Sequence, residues 1–546
     1  MEIYGFAQFG YEGELVKVES DLRRGIPAID VVGLPDGAIR ESRERMRAAI
    51  RNSGLEFPKE RILLNLCPAG LKKEGSSFDL PIALSVLGSA EGLAGGTGMI
   101  MVLGELELSG AVRPVPGTLA AVSCGLKAGI DLFMVPAGNF AEASLVPRAK
   151  VYGVETLAQA VGLLRALYSA GDPPGLDGRS RLEGLGDAET VPSPFEAPGG
   201  IECAAPSDAT RFTRGHDPSP RFPEPGDLPG FEDIRGQRAL VRALQIAAAG
   251  GHHLIAYGPP GCGKTMTLRR FPALLPDLNP ETALEATRIH GIAETLSREG
   301  PALLLRPPFR EPHPNASLEG LIGGGQRCSP GEISLAHGGA LFLDEAALFR
   351  ASALQALRSP IESGTVTLSR AGKNVTFPAR FQLLMAINPC PCGNAGSPGR
   401  VCTCMPEAVS RYWKRLTAPL LDRIDLRVEV RPPDGAELSG PPTHSTRELT
   451  LAIGRARIMQ ENRNKGLPNG ALAPEALMGV SNMTSQAREF FRELMADERL
   501  SGRGGHGVLR VARTIADMEG EAILDRGHLS EAAGFRRWGI AVPDFL

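Results

Sequence analysis

Residues 258–265 read Gly258-Pro259-Pro260-Gly261-Cys262-Gly263-Lys264-Thr265 and satisfy the pattern G-x-x-x-x-G-K-[ST]. The glycines let successive backbone N–H groups turn inward around phosphate oxygens. Lys264 supplies a point charge for β- and γ-phosphates, and Thr265 offers a hydroxyl to Mg²⁺. Met266, the next residue, completes the predicted nucleotide contacts. Further along, GGALFLDEAALF sets four apolar residues ahead of Asp344-Glu345, the way a buried parallel strand delivers carboxylates to its end. Asp344 is expected in the Mg²⁺ shell and Glu345 is expected to polarise an attacking water, since phosphoryl transfer relies on placement and electrostatics. The apolar run FQLLMAIN ends at Asn388, placed to sense a γ-phosphate or the lytic water. In LTAPLLDRIDLRVEV, Arg423 stands between two aspartates. It could reach a neighbouring subunit's γ-phosphate as an arginine finger, or form a local ion pair with Asp422 or Asp425.

These side chains need a particular scaffold. The amphipathic segment FEDIRGQRALVRALQIAAAGG predicts a helix, and HLIAYG after it predicts an apolar strand running directly into the glycine-rich loop. Strands and helices alternate from there to about Pro433. From Ser445 the pattern is helical only, in RELTLAIGRARIMQENRNK, SQAREFFRELMADE and VLRVARTIADMEGEAIL. Upstream, IDVVGLP, a charged helical run from Ala38 to Ser53, RILLNLCPA, LPIALSVLGSA, MIMVLGEL and DLFMVPA predict a separate α/β domain. Between about Ser169 and Gly230 the chain turns to Gly, Pro, Asp and Ser without periodicity, which predicts a flexible linker. The expected division is 1–168, an α/β domain; 169–229, the linker; 230–434, a parallel-sheet nucleotide module; and 435–546, a helical lid.

Bulk properties fit this division but name no chemistry. A chain of 546 residues exceeds one hydrophobic core. Lys plus Arg number 59 against 62 Asp plus Glu, so any contact with nucleic acid must come from a local basic surface. MEIYGFAQFGYEGELVKVES has neither a basic n-region nor an uninterrupted apolar run, and a cytoplasmic protein without membrane attachment is expected.

The phosphate loop, GEISLAHGGALFLDE, LSRAGKNVTFPARFQLLMAINPCPCG and LLDRIDL together resemble the magnesium-chelatase-like AAA+ ATPases of the YifB/ComM family. The resemblance extends to GLPDGAIRESRERMRAAIRNSG, LNLCPAGLKKEGSSFDLPIAL and LGELELSGAVRPVPG near the N-terminus, and to LRVARTIADMEG near the C-terminus. It implies a Lon-protease-like N-terminal domain, a central AAA+ module and a magnesium-chelatase-type helical domain. It also implies ATP and Mg²⁺ as cofactors and a homohexameric motor that migrates branched DNA, or acts on single strands, during recombination in natural transformation. Ser77 falls where the Lon fold keeps its nucleophile. The partner lysine is replaced by Ala121, and Lys127 is out of register, so a non-catalytic platform is expected rather than a peptidase. Two positions depart from the family pattern. His313 is followed by Pro314, and in Ser501-Gly-Arg503-Gly-Gly-His-Gly507 a glycine replaces the second arginine, leaving Arg503, or else Arg510, as the second sensor.

Cys390-Pro-Cys392 and Cys402-Thr-Cys404 place four soft ligands on one loop, a candidate Zn²⁺ site or four reduced thiols. Arg370, Lys373 and Arg380 fall in a predicted β-hairpin, and Arg411 to Arg415 add charge beside Tyr412 and Trp413, two rings that could stack on bases. A rival reading from the resemblance is a protein-remodelling or chelatase-like ATPase indifferent to DNA.

Overall fold

A computed structural model describes residues 2–33, 37–68, 73, 75–93, 98–169, 229–293, 303–325, 328–370, 373–397, 399–441, 443–497 and 500–538. The predicted linker lies outside the described residues. The chain forms two compact units, and among the described residues 2–169 belong to the first and 229–293 and 304–538 to the second.

The N-terminal unit holds a seven-stranded sheet in the order Ile29–Val32, Arg61–Cys67, Glu12–Arg23, Glu2–Phe9, Met99–Val102, Leu132–Pro136 and Lys150–Val154. The two longest strands among the described residues form an antiparallel hairpin that is not among the predicted elements; ELVKVES alternates around Val16 and Val18, but EIYGFAQF does not. Helix Asp79–Ala90 lies buried along nearly its whole length. Its Asp79 is fully enclosed and is stabilised by Ser42, which donates to it, and by Arg45 Nε at 2.9 Å.

In the second unit five strands are ordered Phe309–Arg310, Ala340–Leu343, Gln382–Ile387, Leu254–Tyr257 and Leu426–Glu429, every neighbouring pair parallel. The three middle strands are buried at every residue, as strands covered on both faces must be. Alternate side chains feed two separate cores. Leu254, Ala256, Ala340, Phe342, Leu384 and Ala386 pack with helix Arg238–Gly250, whereas Ile255, Tyr257, Leu341, Leu343, Met385 and Ile387 pack with Leu354, Trp413 and Leu420.

The helices of the expected lid from residue 435 pack directly on the nucleotide module. Helices Thr446–Asn464, Gly502–Glu519 and Arg526–Gly534 bury Ile453, Val508, Leu509, Ile515 and Leu529 in the same core as helix Arg238–Gly250. A buried polar network fastens them to it. His252 Nδ1 pairs with Asp425 at 3.0 Å and its Nε2 meets Thr514 Oγ1 at 2.8 Å. Arg513 and Arg463 both bind Asp517, which is fully enclosed, and removing one partner of such a buried group costs roughly 3–5 kcal/mol.

Next to this network, His253 Nδ1 accepts from Leu383 N at 2.9 Å and the His253 carbonyl accepts from Leu426 N at 3.1 Å, so one residue stitches the phosphate-loop strand to both neighbours. The accepted hydrogen bond requires a neutral ring, and burial holds its pKa down from 6.5 to about 4. With the folded value below the unfolded one, stability is complete above pH 6.5 and is lost as pH falls toward about 4. Chemical denaturation across this window is expected to show a decline of no more than about 3 kcal/mol, and His253→Asn, whose amide oxygen also accepts, is expected to flatten it.

Candidate functional site

All three candidate segments leave the sheet at one edge. Tyr257 pairs with Ile387, and Leu343 pairs with Met385, so Gly258, Asp344-Glu345 and Asn388 emerge side by side. The edge lies where the first strand in sequence, Leu254–Tyr257, separates the fourth and fifth, the crevice that open α/β sheets offer to ligands.

The glycine-rich loop is shaped by contacts that only glycine allows. A Cβ on Gly258 would sit 2.1 Å from the Val430 carbonyl oxygen, and Gly261 and Gly263 have φ of +79° and +89°. The helix expected after the loop is short, Lys264–Leu268, and gives way to a 3₁₀ turn at Phe271–Leu274. Lys264 Nζ folds back to donate to Gly258 O at 2.7 Å, Pro259 O at 2.8 Å and Asn388 Oδ1 at 3.2 Å. Burial lowers the pKa of this ammonium, and Cys262, Asp344 and Glu345 work in the opposite direction. Thr265 Oγ1 donates to Asp344 Oδ1 at 3.1 Å, and the same oxygen accepts from Glu345 N at 3.0 Å. Glu345 itself has φ of 49°, a conformation a non-glycine residue seldom adopts.

These groups surround one cavity of about 370 Å³ lined by Pro260, Gly261, Gly263, Lys264, Thr265, Met266, Asp344, Glu345 and Asn388, with Ala386 and Ile387 behind them. Gly258, Pro259 and Cys262 stand outside the lining and shape the loop through backbone and packing. Met266, 47% exposed, is a large apolar side chain in the lining. The Thr265 hydroxyl and Asp344 carboxylate are hard oxygen donors already in contact, the donor type Mg²⁺ takes.

Arg423 and Arg503 are elsewhere: neither lines the cavity, and both bind Glu362 Oε1, at 2.5 and 2.8 Å. The alternative of Arg423 pairing with Asp422 or Asp425 does not hold, because Asp422 is taken by Arg536 at 2.8 Å and Asp425 by His252. Arg510 donates twice to Leu472 O inside the helical region. His313 Nδ1 accepts from Asn315 N and is outside the lining. In the N-terminal unit Ser77 sits on a 3₁₀ turn, Ala121 is fully buried in helix Thr118–Lys127, and Lys127 ends that helix.

Gln237 is a residue that sequence reasoning missed. Its Nε2 donates to Cys262 O at 2.8 Å and Arg431 O at 2.9 Å, clamping the glycine-rich loop to the end of the fifth strand. Its φ of 54° follows Gly236 at 63°, and the Gly-Gln step ahead of the helix is the only signal the sequence carries.

The four-cysteine loop begins two residues after Asn388 and packs on the phosphate loop: a Cβ on Gly393 would lie 2.9 Å from Pro260 Cδ. Sγ separations are 3.4 Å for Cys390–Cys392, 3.5 Å for Cys390–Cys402 and 3.7 Å for Cys392–Cys402, and all four, Cys404 included, lie within 4.8 Å of one another. Tetrahedral zinc at about 2.3 Å from each sulfur needs edges near ~3.8 Å, so the donor set fits. Tyr412 and Trp413, the two rings that could stack on bases if exposed, are buried. Trp413 donates to Pro389 O at 2.9 Å and meets Tyr257 and Trp538 edge-on, an apolar role the segment SRYWKR disguised. The hairpin is present as Thr365–Arg370 paired antiparallel with Lys373–Pro378. Arg380 beyond it is exposed, and the side chains of Arg370 and Lys373 lie outside the described residues.

A G-x-x-x-x-G-K-T loop, an acidic pair and a polar asparagine at adjacent ends of a 2-3-4-1-5 parallel sheet are the marks of a P-loop nucleoside triphosphatase of the AAA+ type. The chain belongs to the magnesium-chelatase-like ATPases that include YifB and ComM. The family description "Magnesium chelatase, subunit ChlI" matches residues 230–438, "Subunit ChlI of Mg-chelatase" matches 18–139, and "Magnesium chelatase, subunit ChlI C-terminal" matches 443–536. An uncharacterized protein of Mycobacterium tuberculosis is 38% identical over 545 residues, covering 98% of both chains. The uncharacterized protein YifB of Escherichia coli is 37% identical over 97% of this chain and 96% of its own. The competence protein ComM of Haemophilus influenzae is 34% identical over 98% and 97% respectively.

Because the Gly258 position has no room for a side chain, Gly258→Ala is expected to displace the loop and weaken ATP binding by about tenfold or more, read by titration with a fluorescent ATP analogue.

Proposed function

We propose that the chain is an Mg²⁺-dependent ATPase motor that assembles as a homohexamer and moves branched or single-stranded DNA. The observation that carries this reading is the split of the machinery. Lys264, Thr265, Asp344, Glu345 and Asn388 surround one cavity, while Arg423 and Arg503 stand together outside it. A cavity whose lining, among the described residues, holds Lys264 but no arginine is completed when another chain brings one, as arginine fingers do in trans.

In this mechanism Lys264 exchanges its loop carbonyls for β- and γ-phosphate oxygens, which restores the charge that burial disfavours. Thr265 and Asp344 would hold Mg²⁺, which when bound would supply charge neutralisation. Glu345 orients and deprotonates the water, Asn388 hydrogen-bonds the γ-phosphate or that water, and Met266 packs against the nucleotide's apolar part. Arg423 of a neighbouring subunit stabilises the charge that builds up, with Arg503 as the second sensor. The cysteine tetrad would hold Zn²⁺ as a structural clip between Asn388 and the phosphate loop. The N-terminal Lon-like unit serves as a platform without peptidase chemistry, since Ala121 offers Ser77 no base.

The DNA assignment is supported by the near full-length similarity to a protein named for competence and by the exposed Arg380 beside the Thr365–Pro378 hairpin. No helix among the described residues is long and apolar enough to cross a membrane.

Lys264→Ala is expected to abolish ATP binding, whereas Glu345→Gln should retain it and lose about a hundredfold or more in turnover. Ordinary turnover in Glu345→Gln would remove the mechanism. Steady-state hydrolysis measured with and without a synthetic four-way DNA junction, at two salt concentrations, should show salt-sensitive stimulation. Indifference to DNA would point to a protein-remodelling or chelatase-like ATPase. Elemental analysis is expected to find about one zinc per chain, lost in Cys390→Ser.

A further inference from the structure

Glu362 closes the short helix Arg358–Ser363 and stands just ahead of the hairpin strand Thr365–Arg370. Its backbone is fixed at both ends of that hairpin. Gly364 N donates to Pro360 O, and Ala379 N, where the return strand leaves, donates to Gly364 O at 2.7 Å. Ser363 Oγ accepts from Thr365 N at 3.2 Å. The carboxylate therefore projects from a rigid turn.

One oxygen of that carboxylate, Oε1, receives both Arg423 Nη2 and Arg503 Nη2. The two arginines come from distant parts of the chain, one after the short helix Ala418–Leu421 and the other in the first turn of helix Gly502–Glu519. Arg423 is nearly buried, its Nη1 donates to Pro419 O, and its Nε is enclosed without a hydrogen-bond partner. Glu362 and Arg503 are each about half exposed. Two guanidinium groups on one carboxylate leave a net positive charge at the surface. A polyphosphate from outside the chain is the kind of anion that guanidinium groups bind. The hydrogen bonds to Glu362 lower its pKa, keeping it ionised.

We propose that Glu362 is a positioning residue for ATP hydrolysis, holding Arg423 and Arg503 as one cationic unit aimed at the nucleotide of a neighbouring subunit. This rests on the ATPase reading above and adds to it the group that aims the arginines. A surface ion pair of purely structural value would leave turnover alone; a positioning role changes kcat while sparing nucleotide binding and melting temperature.

The test compares kcat and KM for ATP, with melting temperature, in Glu362→Gln, Glu362→Asp, Arg423→Ala, Arg503→Ala and the double variant Glu362→Gln/Arg503→Ala. Glu362→Gln is expected to keep KM within about twofold and to lose about tenfold in kcat, with Glu362→Asp recovering part of it. The double variant should be no slower than the slower single, because the residues act as one unit. Wild-type turnover in Glu362→Gln or Arg503→Ala, or losses that multiply in the double variant, would overturn the proposal while Arg423→Ala is inactive. Wild-type turnover in Arg423→Ala would instead sink the interface reading itself, an outcome visible in that arm alone.

Discussion

A strand buried on both faces can place a polar side chain only at its ends, and the second unit is organised around that restriction. Three adjacent strands, Ala340–Leu343, Gln382–Ile387 and Leu254–Tyr257, carry no exposed residue, so Asp344, Asn388 and the glycine-rich loop must all lie just past their C-terminal ends. Parallel pairing in register then brings the three ends together without any one of them having to search for the others. Sheet formation and site formation are the same event.

The two cores follow from the same strands. Because alternate residues point to opposite sides, the sheet needs a cover on each face, and the chain supplies them from different regions. One cover includes the helices after Ser445, tied down through His252, Asp425 and Thr514. Asp425 lies two residues beyond Arg423, and Arg503 stands in the first turn of the helix that carries Thr514, so the buried network also fixes where the two arginines stand. The second cover contains Trp413, which holds Pro389 and so anchors the chain between Asn388 and the cysteines.

Much of this was legible in the sequence because it depends on short-range rules. The loop, the Asp344-Glu345 pair and the Thr365–Pro378 hairpin each carry a local pattern whose geometry is close to obligatory. What the sequence hid is set by pairings across long separations. Nothing near Arg423 indicates that its partner is Glu362 rather than the aspartates on either side, since those are drawn away by Arg536 and His252. Gln237 gave no sign of its grip on Cys262 and Arg431. The amphipathicity of the terminal helices shows that each has a buried face, but not that helix Arg238–Gly250 lies in the core that covers it. Tyr412 and Trp413 looked available to a ligand for the same reason, their charged neighbours masking an inward-facing side.

The account centres on a hydrolytic site shared between chains, with the phosphate-holding residues on one and the arginines on another. The most direct measurement is ATP hydrolysis by mixtures of Lys264→Ala and Arg423→Ala subunits at constant total protein. Each variant alone should be inactive, and mixing should restore turnover where an intact cavity on one subunit faces an intact arginine on its neighbour. A mixture as inactive as its components, or full activity in Arg423→Ala alone, would contradict the account.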